Sequence, residues 1–201
     1  MFRTILVIDD FLDNAEALRQ HALTLDYPDI KGAFPGRNSV QRVNIDGLDQ
    51  IVSQLTGERL KAIDPPESHA KCRITLGSDV GRGRVHIDHS DWSAILYLSK
   101  AEDCHGGTQF FRHKRTGTTR APVSEAELVA MGYASVADMH RDIIEQDGND
   151  EAAWDMVMEV PMQFNRLILL RPWLWHTAGP GFGDRIDNGR LVYLMFFSRA
   201  A

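Results

Sequence analysis

The chain has 201 residues, 43% of them apolar and 25% charged, with a formal net charge of −6. That length suits one well-buried domain, and an acidic balance without a long basic run excludes a nucleic-acid footprint. No apolar run reaches the length of a membrane span, and the opening apolar stretch is ended by Asp9 and Asp10 too early for a signal peptide, so a cytoplasmic location is expected.

In chain order, Ile5-Leu6-Val7-Ile8 reads as a strand, and Asp13 or Asn14 is placed to cap a helix over 15–23. Residues 33–39, around Pro35-Gly36, form a turn-rich loop. A second helix is expected over 48–59, with Ile51, Val52 and Leu55 at helical spacing, and Asp64-Pro65-Pro66 bars any continuation. Strands then follow at 72–76, around His86, at 93–98 and, after the Gly106-Gly107 turn, at 108–112. Ser124 with Glu127 makes a capping box and opens a helical insertion over about 122–154, with a break at Gly132 and further caps at Ser135 and Asp150. Strands resume at 166–170 and end with the apolar run after Arg190. Cys72 and Cys104 are isolated and are expected to be reduced thiols. The chain therefore reads as a single domain over 1–201. Residues 1–71 support a strand-rich core over 72–198, in which sheets form a sandwich or barrel with helices packed outside. The insertion is expected to form a lid or wall over the site, with an outer packing helix as the alternative.

The chemistry centres on Arg84-Val85-His86-Ile87-Asp88-His89. In an extended chain Val85 and Ile87 point one way and His86 and Asp88 the other, so an imidazole and a carboxylate can meet one metal ion. His176, far downstream, is the third candidate ligand, because such a site is closed by strands distant in sequence. Two histidines and one carboxylate leave metal positions open, which suits a non-haem Fe(II) oxygenase. Arg190 heads an otherwise apolar run, and a charge there needs a buried partner. The far carboxylate of 2-oxoglutarate, which chelates iron through its keto-acid end, fits a guanidinium. Arg185, in the polar turn over 183–189, is its rival. Tyr97 either hydrogen-bonds the co-substrate or packs, and Thr108 is a lesser candidate for the same bond. His89 reads as a surface or supporting residue, His105 and His113 as solvated, and Trp173 and Trp175 as core packing or a pocket wall.

These landmarks have an order: His86-Ile87-Asp88, Ile95-Leu96-Tyr97-Leu98-Ser99, Gly106-Gly107-Thr108-Gln109-Phe110, His176, then Arg190. That order resembles the Fe(II)/2-oxoglutarate-dependent oxygenases of the prolyl-4-hydroxylase-like group, over about residues 72–198 and also in the 7–23 opening. The resemblance implies a mainly β fold with flanking helices and a double-stranded β-helix (jelly roll) core. It implies iron at His86, Asp88 and His176, and 2-oxoglutarate at Arg190. The implied reaction is hydroxylation by O2 of an unactivated C–H in a small molecule or peptidyl side chain, releasing succinate and CO2. The sequence departs from the family at Val192, where Ser or Thr is frequent, and in a long interval from His176 to Arg190. Alternatives are a non-enzymatic cupin-like metal-binding module, which usually brings more histidines, and a zinc-dependent hydrolase, which has no need of Arg190. A halogenase of the same family would lack the carboxylate that Asp88 supplies.

Overall fold

Two antiparallel sheets of unequal size account for most of the regular structure in a computed structural model, which describes residues 3–29, 34–81 and 84–200. The first half of the chain holds β1 (Ile5–Ile8), α1 (Ala15–Ala22), β2 (Arg37–Asn38), α2 (Leu48–Thr56), β3 (Leu60–Ala62) and β4 (Lys71–Thr75). Next come β5 (Trp92–Tyr97), β6 (Gly107–His113), α3 (Glu125–Ala130) and α4 (Val136–Met139), which a π-turn over His140–Glu145 continues. A 3-10 turn (Glu151–Ala153) leads to β7 (Trp154–Pro161), β8 (Leu167–Leu170), β9 (His176–Thr177) and β10 (Arg190–Arg199).

The larger sheet runs β1-β8-β5-β10-β4-β2, with β3 also paired to β10, and the smaller runs β7-β6-β9. Both faces of the larger sheet are covered, which is why β8 reads Leu-Ile-Leu-Leu without alternation and is buried throughout. One face, carrying Cys72, Ile74, Leu96, Leu191 and Tyr193, packs on Leu18 and Ala22 of α1 and on Leu48 and Val52 of α2. The other carries Tyr97, Ile168, Leu170 and Val192 and meets Phe110 and Val160 of the smaller sheet. Each fully buried Leu or Ile in these layers contributes about 1.5–3 kcal/mol relative to exposure. The site lies on the second face, between the sheets.

Local chemistry explains the element ends. Gly57, at φ +75°, stops α2 before the expected residue 59, its N–H donating to Ser53 O at 2.8 Å. Asn14 is the N-cap of α1 without a side-chain bond. Ser124 does cap α3 by accepting from Glu127 N at 3.3 Å, but the Glu127 carboxylate accepts from Val123 N at 3.0 Å and pairs with Arg120. Ser135 and Asp150 cap the next two turns as expected.

Several expectations need correction. The stretch around His86 is extended but is no regular strand: one antiparallel bridge joins His86 to His176. The expected loop over 33–39 contains β2, paired to β4, while Ala33 lies outside the described residues. The insertion ends before Trp154, which instead opens β7, an edge strand exposed over most of its length. The described contacts of the insertion fit the alternative expectation, an outer packing element. Leu128, Met139 and Ile143 pack on Phe111 and Trp175, whose neighbours Phe110 and His176 face the interior, and on Val85 and Ile87, opposite His86 and Asp88. It backs the ligand segments, because those side chains form an apolar surface that needs cover.

Candidate active site

Two extended segments bring the expected ligands together. His86 N donates to His176 O at 2.9 Å and His176 N to His86 O at 3.1 Å, so the two histidines stand opposite each other. Asp88 N donates to Pro172 O at 3.1 Å, and Val85 N donates to Gly148 O of the insertion at 3.1 Å. A Cβ at Gly148 would lie 2.3 Å from Ile144 O and 3.1 Å from Val85 O, so only glycine allows that approach.

The side chains converge. One donor atom each from His86, Asp88 and His176 lie within 4.8 Å of one another, the only such group among the described residues. His86 Nε2 is 3.5 Å from Asp88 Oδ1, and His176 Nε2 is 3.4 Å from Asp88 Oδ2. Each imidazole turns its Nδ1 to a backbone carbonyl, His86 to Arg84 O at 2.9 Å and His176 to Leu174 O at 2.7 Å. Those bonds fix the tautomer that leaves both Nε2 lone pairs pointing at the shared centre. Ser93 Oγ donates to Asp88 Oδ2 at 2.6 Å.

Electrostatics favour a cation there. Burial, then the charge of His176, pushes the His86 imidazole down to about 4, so it stays neutral. Burial alone would raise the Asp88 carboxyl, but the two histidines and Ser93 hold it well below the usual carboxylate range. Burial opposes protonation of His176 too, and Asp88 outweighs it, raising that imidazole.

Arg190 begins β10 opposite Thr75, is 2% exposed, and lies with its guanidinium carbon 5.8 Å from the Tyr97 ring centre. Its Nε and Nη2 are buried without an acceptor, which almost every buried donor has. Burial pulls its pKa down, and among the described residues Tyr97 and Cys104, not a carboxylate, oppose this. Ser93 and Tyr97 share one face of β5, four residues apart, so the floor between the triad and the Arg190 end runs about 13 Å along the strand.

The other expected residues fall as follows. Tyr97 and Thr108 are fully buried and bonded to each other, Tyr97 Oη to Thr108 Oγ1 at 2.7 Å and Thr108 N to Tyr97 Oη at 2.9 Å, which ties the sheets together. Arg185 is exposed and pairs with Asp184 and Asp187. His89 and His105 are exposed. His113, expected in solvent, is fully buried between Thr116 Oγ1 at 3.0 Å and Asp147 Oδ2 at 2.9 Å. Trp175 is core and donates to Thr118 Oγ1 at 3.1 Å. Sequence reading passed over Ser93, Arg73 and Phe34. The Phe34 ring lies 4.2 Å from that of His86, and Arg73 Nη2 donates to Phe34 O at 2.8 Å. Arg73 had a legible signal, alternating with the apolar Cys72 and Ile74.

A model of the family of unknown function DUF6445 matches residues 2–197. The chain belongs to DUF6445. No curated protein matches this DUF6445 chain. Among solved structures it is similar to HygX from Streptomyces hygroscopicus with nickel, 2-oxoglutarate and hygromycin B bound, at 13% identity and a TM-score of 0.56, covering 98% of this chain and 83% of that one. A Pseudomonas putida prolyl-4-hydroxylase matches at 15% identity and a TM-score of 0.42, covering 98% and 94%. The likeness to HygX is one of fold: this DUF6445 chain has the jelly roll of the 2-oxoglutarate oxygenases, mainly β with flanking helices. No helix among its described residues is long and apolar enough to cross a membrane.

Proposed function

We propose that this protein is an Fe(II)- and 2-oxoglutarate-dependent oxygenase, acting as one catalytic unit, that hydroxylates a small molecule or peptidyl side chain. The observation that carries the reading is a pairing inside one sandwich: a convergent His86–Asp88–His176 triad and, on the same interior face, a buried Arg190 without a counter-ion among the described residues. Two imidazoles and a carboxylate suit iron(II) and leave positions for a chelating keto acid and dioxygen. The unpartnered Nε and Nη2 of Arg190 suit the far carboxylate of that acid. HygX, recorded with 2-oxoglutarate bound, has the same fold.

Bound there, iron and co-substrate would supply oxidation by dioxygen, with 2-oxoglutarate lost as succinate and CO2. The chain's own part is positioning. The carbonyls of Arg84 and Leu174 hold both imidazoles in the metal-binding tautomer, and Ser93 aims the Asp88 carboxylate. Tyr97 and Thr108 close the floor near Arg190 against water. A zinc hydrolase would need the triad but not Arg190.

The test is an anaerobic titration with Fe(II) and 2-oxoglutarate. A weak visible charge-transfer band, needing both, is the expected result. Tight iron binding with no band at saturating 2-oxoglutarate would overturn the reading.

A further inference from the structure

The strands of the larger sheet hold Arg37, Lys61, Lys71, Arg73, Arg190 and Arg199 and no acidic residue, in a chain whose net charge is −6. Four of these cations share the face that looks into the sandwich, Lys61 as an exposed residue opposite Ser198 and three, Arg190, Arg73 and Lys71, at least half-buried. Register places Arg190 opposite Thr75, Val192 opposite Arg73 and Leu194 opposite Lys71. Val192 packs with Tyr97 and Phe110 between the sheets, so Lys71, Arg73 and Thr75 line the same interior. The strip passes from fully buried Arg190 to half-buried Arg73 and Lys71. Among the described residues none of the three has a carboxylate within 4 Å, whereas Arg37 has Asp79 and Arg199 has Glu58.

The strip also reaches the triad. Arg73 donates to Pro35 O through Nε at 3.0 Å, to Asn38 Oδ1 at 2.7 Å and to Phe34 O at 2.8 Å, and Phe34 stacks on His86. Carbonyls satisfy hydrogen-bond geometry but bring no negative charge. Burial, then the nearby Arg190 charge, pushes the Arg73 guanidinium down to about 10, with Asp79 opposing. The far carboxylate of 2-oxoglutarate offsets one charge of the strip, at Arg190. Lys71 and Arg73 have no carboxylate within 4 Å among the described residues, Arg73 being only partly offset by Asp79, and a bound anion would complete their pairing.

We propose that the primary substrate is a small acid whose carboxylate or phosphate docks on Lys71 and Arg73, setting the C–H to be oxidised beside the triad. This rests on the oxygenase reading and adds the substrate's class. A positive strip on a protein of net negative charge also draws anions toward that one place.

The experiment loads the protein anaerobically with Fe(II) and 2-oxoglutarate. It titrates matched probes by calorimetry and by change in the visible band: aliphatic and aromatic carboxylic acids against their primary amides, and phosphate monoesters against their parent alcohols. Acids should bind at least tenfold tighter than their neutral partners, in one arm or the other, and the arm that responds names the oxyanion. Lys71→Gln should weaken that binding at least tenfold and leave the 2-oxoglutarate titration unchanged. Lys71 is the residue to change, because Arg73 also holds the 34–38 segment in place. Equal binding of acids and neutral partners, no binding by any acid, or a Lys71→Gln effect on 2-oxoglutarate instead would overturn the proposal. Should the band never form, the oxygenase reading falls separately. The same calorimetry without iron and 2-oxoglutarate then decides whether the strip prefers acids.

Discussion

Two arginines at strand ends of the larger sheet, Arg171 just after β8 and Arg190 at the start of β10, are almost equally buried, at 3% and 2% exposure, and are treated in opposite ways. Arg171 pairs with Glu58, donates to Asp91 O at 3.1 Å and Arg3 O at 3.3 Å, and lies 4.1 Å over the Trp92 ring. Arg190 has the Tyr97 ring at 5.8 Å, and two of its nitrogens have no acceptor. Arg171 serves the fold and arrives with its counter-ion. A buried cation whose counter-ion is a ligand weakens the empty protein and is compensated on binding. Between these two residues the difference distinguishes a scaffold arginine from one that faces the triad's interior.

The largest effect should come at the metal end, without which the unpaired arginine has no purpose. His176→Ala is expected to abolish iron binding and succinate release together, and iron retained at wild-type stoichiometry by metal analysis would remove His176 from the site. Next comes Arg190→Ala, expected to weaken 2-oxoglutarate binding by about 2–5 kcal/mol while iron stays bound. Arg185→Ala should shift it by less than about 0.5 kcal/mol. Equilibrium titration of both variants decides, and a large loss at Arg185 with none at Arg190 would reverse the assignment. In the same preparation, Arg190→Met should leave the ligand-free protein as stable as before or more so, since an apolar side chain replaces an unpaired buried charge.

For Arg171→Ala the expectation is a loss of about 3 kcal/mol in stability, at the low end for breaking a buried pair because Glu58 keeps some solvent contact. That corresponds to roughly 6–12 °C in Tm for a chain of this size, and 2-oxoglutarate binding should survive below the lowered Tm. An unchanged melting curve would erase the contrast between the two arginines. The smallest effect is acid sensitivity. Burial would raise the Glu58 carboxyl, but its bonds to Arg171 and Arg199 outweigh that and lower it below 4.5. Its contribution is present at neutral pH and lost as pH falls below about 4.5 through the depressed value. Glu58→Gln should therefore flatten the stability profile on the acid side alone, as read by urea unfolding across pH.

What the sequence disclosed follows the same physics. The alternation Val85-His86-Ile87-Asp88 was readable because apolar and ligating side chains go to opposite sides even where the backbone is held by a single bridge. That those residues form no regular strand was not readable, since their partner lies far off in the chain. β7 was missed because Asp155, Met156, Val157, Met158 and Glu159 are all exposed and leave no period-two signal. The burial of His113 depends on Asp147, a partner that local pattern does not reveal. The side taken by the insertion could have been read: Trp175 adjoins His176, so the back of that segment had to be apolar and covered.

The bridge between His86 and His176 also says where the chain can change length. Because the two ligands face each other through a reciprocal pair of backbone bonds, their spacing in the site is indifferent to how many residues join them. A connection such as 99–106 can grow or shrink without moving either imidazole, whereas the insertion over 124–148 covers the back of both ligand segments and meets Val85 through Gly148. One residue inserted between His86 and Asp88 has the opposite result: the carboxylate swings to the Trp175 side and leaves the interior. Length tolerance and length intolerance thus meet within a few residues, and the ligand segments behave as fixed-length parts set in an adjustable frame.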